Sequence, residues 1–318
     1  MRNLNYDLEE FSQMIAGTLL QEGKDSKVNN VLIDSRRIGL RQNTVFFALS
    51  GDAHNGHDYI DALYVRGIEF FVVSETPDLK KIPNATVLKV ENTQTALQMF
   101  AKAHRKKFSI PVIGITGSNG KTIVKEWVYD ALYRDYKIAR SPKSYNSQVG
   151  VPLSVLNLNE ENNLAVFEAG ISKPGEMEIL RGIISPTIGI FTNIGAAHQE
   201  NFDSYLEKAN EKAILFEDAD VIIYCKDHKL VHDALTGMYP EEKLLSWSNK
   251  GIDAKLKVSV LSKGNHKVAY EDYEFEVTLP KGSQVDEENS VHILCLMCYL
   301  GIKAKKIKDR SSQLRPIS

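Results

Sequence analysis

The sequence predicts an α/β protein of two domains. A small N-terminal α/β domain (1–108) precedes a central one (109–318) resembling P-loop ATPases, with a mostly parallel, doubly wound sheet and a β-hairpin insertion. Three observations carry this expectation. Short, almost wholly apolar runs rich in β-branched residues recur along the chain, as in strands covered on both faces. Stretches of helical periodicity lie between several of them. One run, IPVIGIT at 110–116, leads directly into the glycine-rich turn TGSNGKT.

In chain order, residues 30–73 alternate VLIDS, TVFFAL, the loop SGDAHNGHDY, a helical IDALYVRG and the strand IEFFVVS. Residues 86–90 read as a further strand. Residues 93–107 read as an amphipathic helix whose basic end suits its dipole, which puts a boundary near Phe108. Beyond it, LAVFEAG, TIGIFTNI, DVIIYC and KLLSW repeat the buried-strand pattern, with helices over 121–132 and 205–216. Residues 254–279 alternate apolar and polar around KGN and YED, the pattern of an antiparallel hairpin insertion. A last helix is expected over 289–300, and the polar, basic tail after Lys303 reads as loosely ordered.

Composition narrows the function. A formal net charge of −2 gives no electrostatic reason to bind nucleic acid or an anionic membrane, which leaves small molecules as the expected partners. A monomer is expected, though no residue pattern fixes the oligomeric state. The first ten residues carry three acids and no secretory signal, and no apolar stretch approaches the ~20 residues of a membrane span. Three cysteines do not make a disulfide framework, so a cytoplasmic location is expected. Cys295 and Cys298 form a CxxC inside the apolar run 291–300, where a buried structural role outweighs metal or redox work.

Chemistry concentrates in Thr116, Gly117, Ser118, Asn119, Gly120, Lys121 and Thr122. A glycine-rich turn between a buried strand and a helix presents backbone amides to phosphate oxygens. Lys121 would meet the β- and γ-phosphates, and the Thr122 hydroxyl would ligate Mg²⁺. The generic spacing GxxxxGK[ST] is not met, since Ile115 stands five places before Gly120. The blander alternative is a turn without a ligand. A GTPase is disfavoured because the nearest guanine-type string, NKGID from Asn249, has its acid one place late.

TGSNGKT resembles the variant phosphate loop of the Mur ligase family, and other segments follow in that family's order. VFEAGISKPGE is similar to the segment whose first acid, here Glu168, ligates magnesium. TNIGAAHQENF is similar to the segment giving a histidine ligand, His198, to a second metal. The helix SYLEKANEKAILF resembles the one bearing a carbamoylated lysine, implied at Lys212, with Lys208 as the alternative. SYNSQVGVP resembles an asparagine-rich loop at the ATP phosphates: Asn146, Gly150 and Pro152 match, whereas Ser144 and Ser147 replace amides. Asn289 matches a position that reads adenine at a helix start, with a plain N-cap as the alternative. DSR at Asp34, Ser35 and Arg36, with Asn55, Gly56 and His57 from the HNGH loop, is similar to the part that holds the UDP end of the substrate.

The resemblance implies ATP, two Mg²⁺ ions and a carboxylate activated as an acyl phosphate, which an amine then attacks. Each residue also has a duller reading: Glu168 could cap a helix, and Lys212 could be a solvated lysine. The phrases SPKSYNSQVGVP and EAGISKPGE resemble most the branch that adds D-alanyl-D-alanine to UDP-N-acetylmuramoyl-tripeptide, as fused to an alanine racemase. That family has a third, C-terminal domain, and the expectation is a two-domain fragment ending where its connector would begin. A non-catalytic nucleotide-binding module remains the alternative, as does a family member adding another amino acid.

Overall fold

The computed structural model describes residues 4–24, 27–36, 42–51, 54–280 and 283–315; the tips of the 50–59 loop (52–53) and of the final tail (316–318) lie outside the described residues. The chain forms two compact units. One runs to Phe108 and also takes in Pro152–Asn159; the other holds Ser109–Val151 and Glu160 onward. A single boundary at 108 misses the return of Pro152–Asn159, whose Leu153, Val155, Leu156 and Leu158 are buried. In the same unit, the Leu158 carbonyl accepts a hydrogen bond from His104 Nε2 at 3.0 Å.

In the first unit, β1 (Tyr6–Asp7) pairs antiparallel with β3 (Lys27–Val28). A five-stranded sheet runs in the order β2 (Thr18–Gln21), β7 (Thr86–Lys89), β6 (Phe70–Val73), β5 (Thr44–Phe47), β4 (Asn30–Leu32). All neighbours are parallel except β2 on β7. β5 and β6 are buried throughout, which is why they read as unbroken apolar runs. Phe11 of α1 (Leu8–Met14) packs edge-on against Phe47, Phe70 and Phe100. On another cluster, Ile60 and Leu63 of α2 (Ile60–Val65) meet Phe46 and Phe71. Asn92 caps α3 (Thr93–Arg105) by accepting from the Thr95 amide.

The second unit is built on a nine-stranded sheet. From one edge its order is β9 (Ile138–Arg140), β10 (Leu164–Glu168), β8 (Val112–Thr116), β11 (Ile188–Phe191), β12 (Val221–Cys225), β13 (Leu244–Ser248), β14 (Leu256–Ser262), β15 (Asn265–Tyr270), β16 (Tyr273–Thr278). Strands β9 to β14 are parallel and the last two pairings are antiparallel. From β8 the chain moves out to β9, returns through β10 on one side, and continues to β11 on the other. The order therefore reverses at β8, and the carboxyl ends of β10, β8 and β11 open onto one crevice, where open α/β sheets bind ligands.

Helices α4 (Lys121–Leu132), α6 (Glu176–Ile184), α7 (Tyr205–Ala213), α8 (Lys229–Met238), α9 (Gln284–Tyr299) and α10 (Ala304–Ser311) complete the unit, while α5 (Gly150–Val155) begins in it and runs into the Pro152–Asn159 segment of the first. Trp127 and Val128 of α4 share one core cluster with Ile293, Leu294 and Met297 of α9. Cys295 lies in that cluster and Cys298 packs against it. Among the described residues no helix is long and apolar enough to cross a membrane.

The antiparallel pattern expected over 254–279 is present: β14 to β16 form a meander that extends the main sheet, because Leu256, Val258, Val268 and Val277 are buried in the common core. Two other expectations are corrected. The last helix starts five residues earlier than expected, at Gln284, where Ser283 and Asp286 form a capping box. In the tail after Lys303, Ala304–Ser311 form a helix. Its polar composition hides buried Ile307, Arg310 and Ser311, at helical spacing on one face. Arg310 donates to the Ala131 carbonyl at 2.8 Å and pairs with Asp135 at 2.5 Å, and the Trp127 indole donates to the Arg315 carbonyl at 2.7 Å.

Candidate functional site

The turn after β8 owes its shape to two glycines. Gly117 has φ +142°, and a Cβ there would fall 1.9 Å from Thr192 Oγ1; Gly120, φ +81°, would drive one to 2.6 Å from Asn289 Oδ1. The turn is clasped from the end of β11. Thr192 Oγ1 donates to the Asn119 carbonyl at 2.6 Å, the Ser118 amide donates to Asn193 O at 2.8 Å, and the Asn119 amide donates to Asn193 Oδ1 at 3.1 Å. The amides of Ser118 and Asn119 are thus engaged within the protein. Those of the first turn of α4, which no helix ladder uses, face the role expected of the whole loop.

Lys121 folds back on the loop, its Nζ donating to the carbonyls of Gly117 at 2.8 Å and Ser118 at 3.2 Å. Burial pushes its pKa down, against the opposing pull of Glu168. Thr122 Oγ1 donates to Glu168 Oε2 at 2.9 Å and lies 3.1 Å from Ser144 Oγ. Glu168, the last residue of β10, is fully buried and caps no helix; Gly175 stands at the start of α6. Asn146 Nδ2 reaches the same Glu168 oxygen at 3.5 Å, and Ser147 Oγ accepts from the Gly150 amide at 3.1 Å. Ser144 and Ser147, which stand where amides are expected, therefore bond within the site and its loop.

A cavity of about 240 Å³ opens beside this cluster, lined among others by Gly117, Lys121, Asn146, Ser147, His198 and Lys212. His198 sits there in the left-handed region, φ +58°, at the start of a short turn. The two lysines of α7 part company. Lys208 Nζ donates to the carbonyls of Gly195 at 2.5 Å and Ala197 at 3.2 Å, holding the loop that carries His198. Lys212, 3% exposed, lines the cavity, and burial together with the charges of Lys121 and Lys208 pushes it down to about 7. Asn289 is not at a helix start but inside α9, buried against Gly120, and its Nδ2 has no hydrogen-bond partner among the described residues.

In the first unit a cavity of about 350 Å³ is lined by Asp34, Ser35, Arg36, Gly56 and also by His54 and Tyr59. Arg36 is exposed and forks onto Asp34, with Nε 2.9 Å from Oδ1 and one terminal nitrogen 3.1 Å from Oδ2. Asn55 and His57 do not line this cavity, contrary to expectation. Asn55 Oδ1 accepts from the His57 amide at 3.1 Å, and His57 Nε2 accepts from the amides of Ser74 at 3.0 Å and Glu75 at 3.2 Å. The ring is thereby consumed in tying the loop to the end of β6, and its Nδ1 donates to Asn55 Oδ1 at 2.7 Å. Burial lowers its pKa in keeping with the neutral ring.

Sequence reasoning missed Thr192, Asn193 and Lys125. The first two lie within the TNIG string but were read only as carriers of His198. Lys125 Nζ lies 3.0 Å from Glu168 Oε1, both side chains wholly buried. Its signal was a lysine one turn after Lys121 on a helix face otherwise held by Val124, Trp127 and Val128.

Residues 115–288 match the Mur ligase middle domain and residues 27–105 match the Mur ligase family catalytic domain. The UDP-N-acetylmuramoyl-tripeptide–D-alanyl-D-alanine ligase of Bacillus subtilis is 29% identical over 283 residues, 81% of this chain, and the match spans 60% of that relative's length. MurF from Acinetobacter baumannii superposes with a TM-score of 0.87 at 21% identity, over 100% of this chain and 70% of that one. The MurF ligase from Thermotoga maritima, solved in complex with ADP, gives a TM-score of 0.76 at 22% identity, over 91% of this chain and 66% of that one. The solved structures share the fold, and the family match over more than half of the sequence establishes that the chain belongs to the Mur ligase family.

Proposed function

We propose that the chain supplies the nucleotide-handling and UDP-substrate-holding parts of a cytoplasmic, ATP-dependent ligase of peptidoglycan synthesis. The reaction joins D-alanyl-D-alanine to UDP-N-acetylmuramoyl-tripeptide. The observation that carries this reading is the meeting of Lys121, Thr122, Glu168, His198 and Lys212 at the carboxyl ends of β8, β10 and β11. The activity for which the Bacillus subtilis relative is named supports the choice of substrates, and the ADP complex of the Thermotoga protein supports the nucleotide.

The residues fit a magnesium nucleotide. Thr122 Oγ1 and Glu168 Oε2, 2.9 Å apart, are the hard oxygen donors that Mg²⁺ prefers, and the unpartnered Nδ2 of Asn289 is a donor awaiting an acceptor beside Gly120. Thr122 and Glu168 would hold one Mg²⁺, and His198 with a carbamoylated Lys212 would support the second. Bound there, magnesium neutralises the negative charge that gathers as a phosphoryl group meets a carboxylate. Lys121 is released from the Gly117 and Ser118 carbonyls to face the phosphates, while Thr192 and Asn193 keep the loop in place. Lys212, being close to neutral, presents an amine that can take up CO₂. The Asp34 to Arg36 cavity receives the UDP end, with Ser35 and the Arg36 fork facing uridine and phosphate oxygens.

The test is calorimetric titration of ATP with Mg²⁺, paired with an assay of phosphate release and amide formation from the tripeptide nucleotide and D-alanyl-D-alanine. Saturable ATP binding, lost about 100-fold or more in Lys121→Ala, is the expected result. Binding without product assigns a nucleotide-binding module instead, and no ATP binding overturns the reading altogether.

A further inference from the structure

Among the described residues, Lys125 is a lysine with no exposed surface that touches the site from within the protein. A lysine withdrawn from water is tolerated only when its charge and its donors are all met. Here the charge is met by Glu168 Oε1 and Glu126 Oε1, each at 3.0 Å, and the ammonium donates to the Ser141 carbonyl at 2.9 Å and to the Lys143 carbonyl. Glu126 is balanced in turn by Arg140. Four charges thus close a neutral cluster beneath the nucleotide turn.

The arrangement does more than satisfy charge. Lys125 forms an ion pair with one oxygen of Glu168, Oε1, which accepts no hydrogen bond among the described residues, while the other, Oε2, meets Thr122 and Asn146. The same ammonium holds the carbonyls of Ser141 and Lys143, immediately before Ser144 and Asn146. One side chain therefore couples helix α4, the end of β10 and the root of the 144–152 loop.

We propose that Lys125 is a positioning residue for the magnesium site: it selects the Glu168 oxygen offered beside Thr122 and sets where the Asn146 loop begins. This inference rests on the nucleotide reading above. Groups that orient metal ligands from behind change metal affinity by about 10- to 100-fold when removed, whereas a residue that only stabilises the fold leaves that linkage intact.

The experiment measures ATP affinity of the full chain in Mg²⁺ and in EDTA, for the wild type and for Lys125→Met, Lys125→Gln and Lys125→Arg, with thermal melting as the check on folding. The quantity read is the gain in affinity conferred by Mg²⁺. Each folded variant is expected to lose about tenfold or more of that gain while binding ATP in EDTA much as the wild type does. Glu126→Gln, which leaves the Lys125 to Glu168 pair in place, is expected to retain the gain. A folded Lys125 variant with the wild-type gain overturns the proposal, and so does failure of all three to fold, which would make Lys125 a folding residue. A wild type whose ATP affinity ignores Mg²⁺ sinks the nucleotide reading itself, an outcome distinct from the other two.

Discussion

Two lysines one helical turn apart show how far a side chain's role depends on what it touches. Lys208 spends its donors on the Gly195 and Ala197 carbonyls, whereas Lys212 faces the cavity and is held near neutrality by burial and by two neighbouring cations. An ordinary lysine is almost wholly protonated at neutral pH, but one at about 7 is a free amine for about half the time. Native mass spectrometry in bicarbonate should therefore find an adduct of one CO₂ that grows as pH rises through this range. It should vanish in Lys212→Ala and persist in Lys208→Met. An adduct that follows Lys208 instead would reverse the assignment. From sequence both were lysines on a polar helix, and only the resemblance ranked them.

Elements were legible where periodicity and packing agree. The helix over 121–132 and the strands around it stand where the sequence places them, since an apolar strand and a stripe of Val124, Trp127, Val128 and Ala131 have few other uses. Helix α10 was not legible, because three buried positions among lysines look like solvent-facing polarity until α4 and β16 are in place to receive them. Ile307→Ala is expected to cost about 2–5 kcal/mol in urea unfolding, as for other core truncations, whereas the exposed Lys308→Ala should stay within about 0.5 kcal/mol. Equal stability of the two would mean the tail is not packed in solution.

Each compact unit also encloses a neutral histidine, and this bears on how the protein tolerates acid. His104 accepts from the Tyr6 hydroxyl at 2.5 Å and donates to Leu158, and burial pushes it down to about 4. His292 accepts from the Trp247 indole at 3.0 Å and is pushed down to about 3, again by burial. Both folded values lie below the ordinary 6.5, so the unfolded chain takes up these protons first. Their contribution is complete above about pH 6.5 and declines as pH falls, until about 4 for His104 and about 3 for His292. Urea unfolding should show stability falling by a few kcal/mol between neutral pH and pH 4, with a shallower fall in His104→Gln. A flat profile would show that these rings meet water in solution.

Read without coordinates, the chain already disclosed its α/β class, the turn at 116–122 and the acid at the end of LAVFE. These are local: strand, turn and helix are written in neighbouring residues, and a ligand crevice follows from a strand ending in polar groups. It took the tertiary fold to show that Asn193 clasps the turn, that His57 serves the loop rather than the cavity, and that Lys125 stands behind Glu168. Those roles belong to pairs separated by tens of residues, and a side chain's pattern in sequence says nothing about which distant carbonyl or carboxylate consumes its hydrogen bonds.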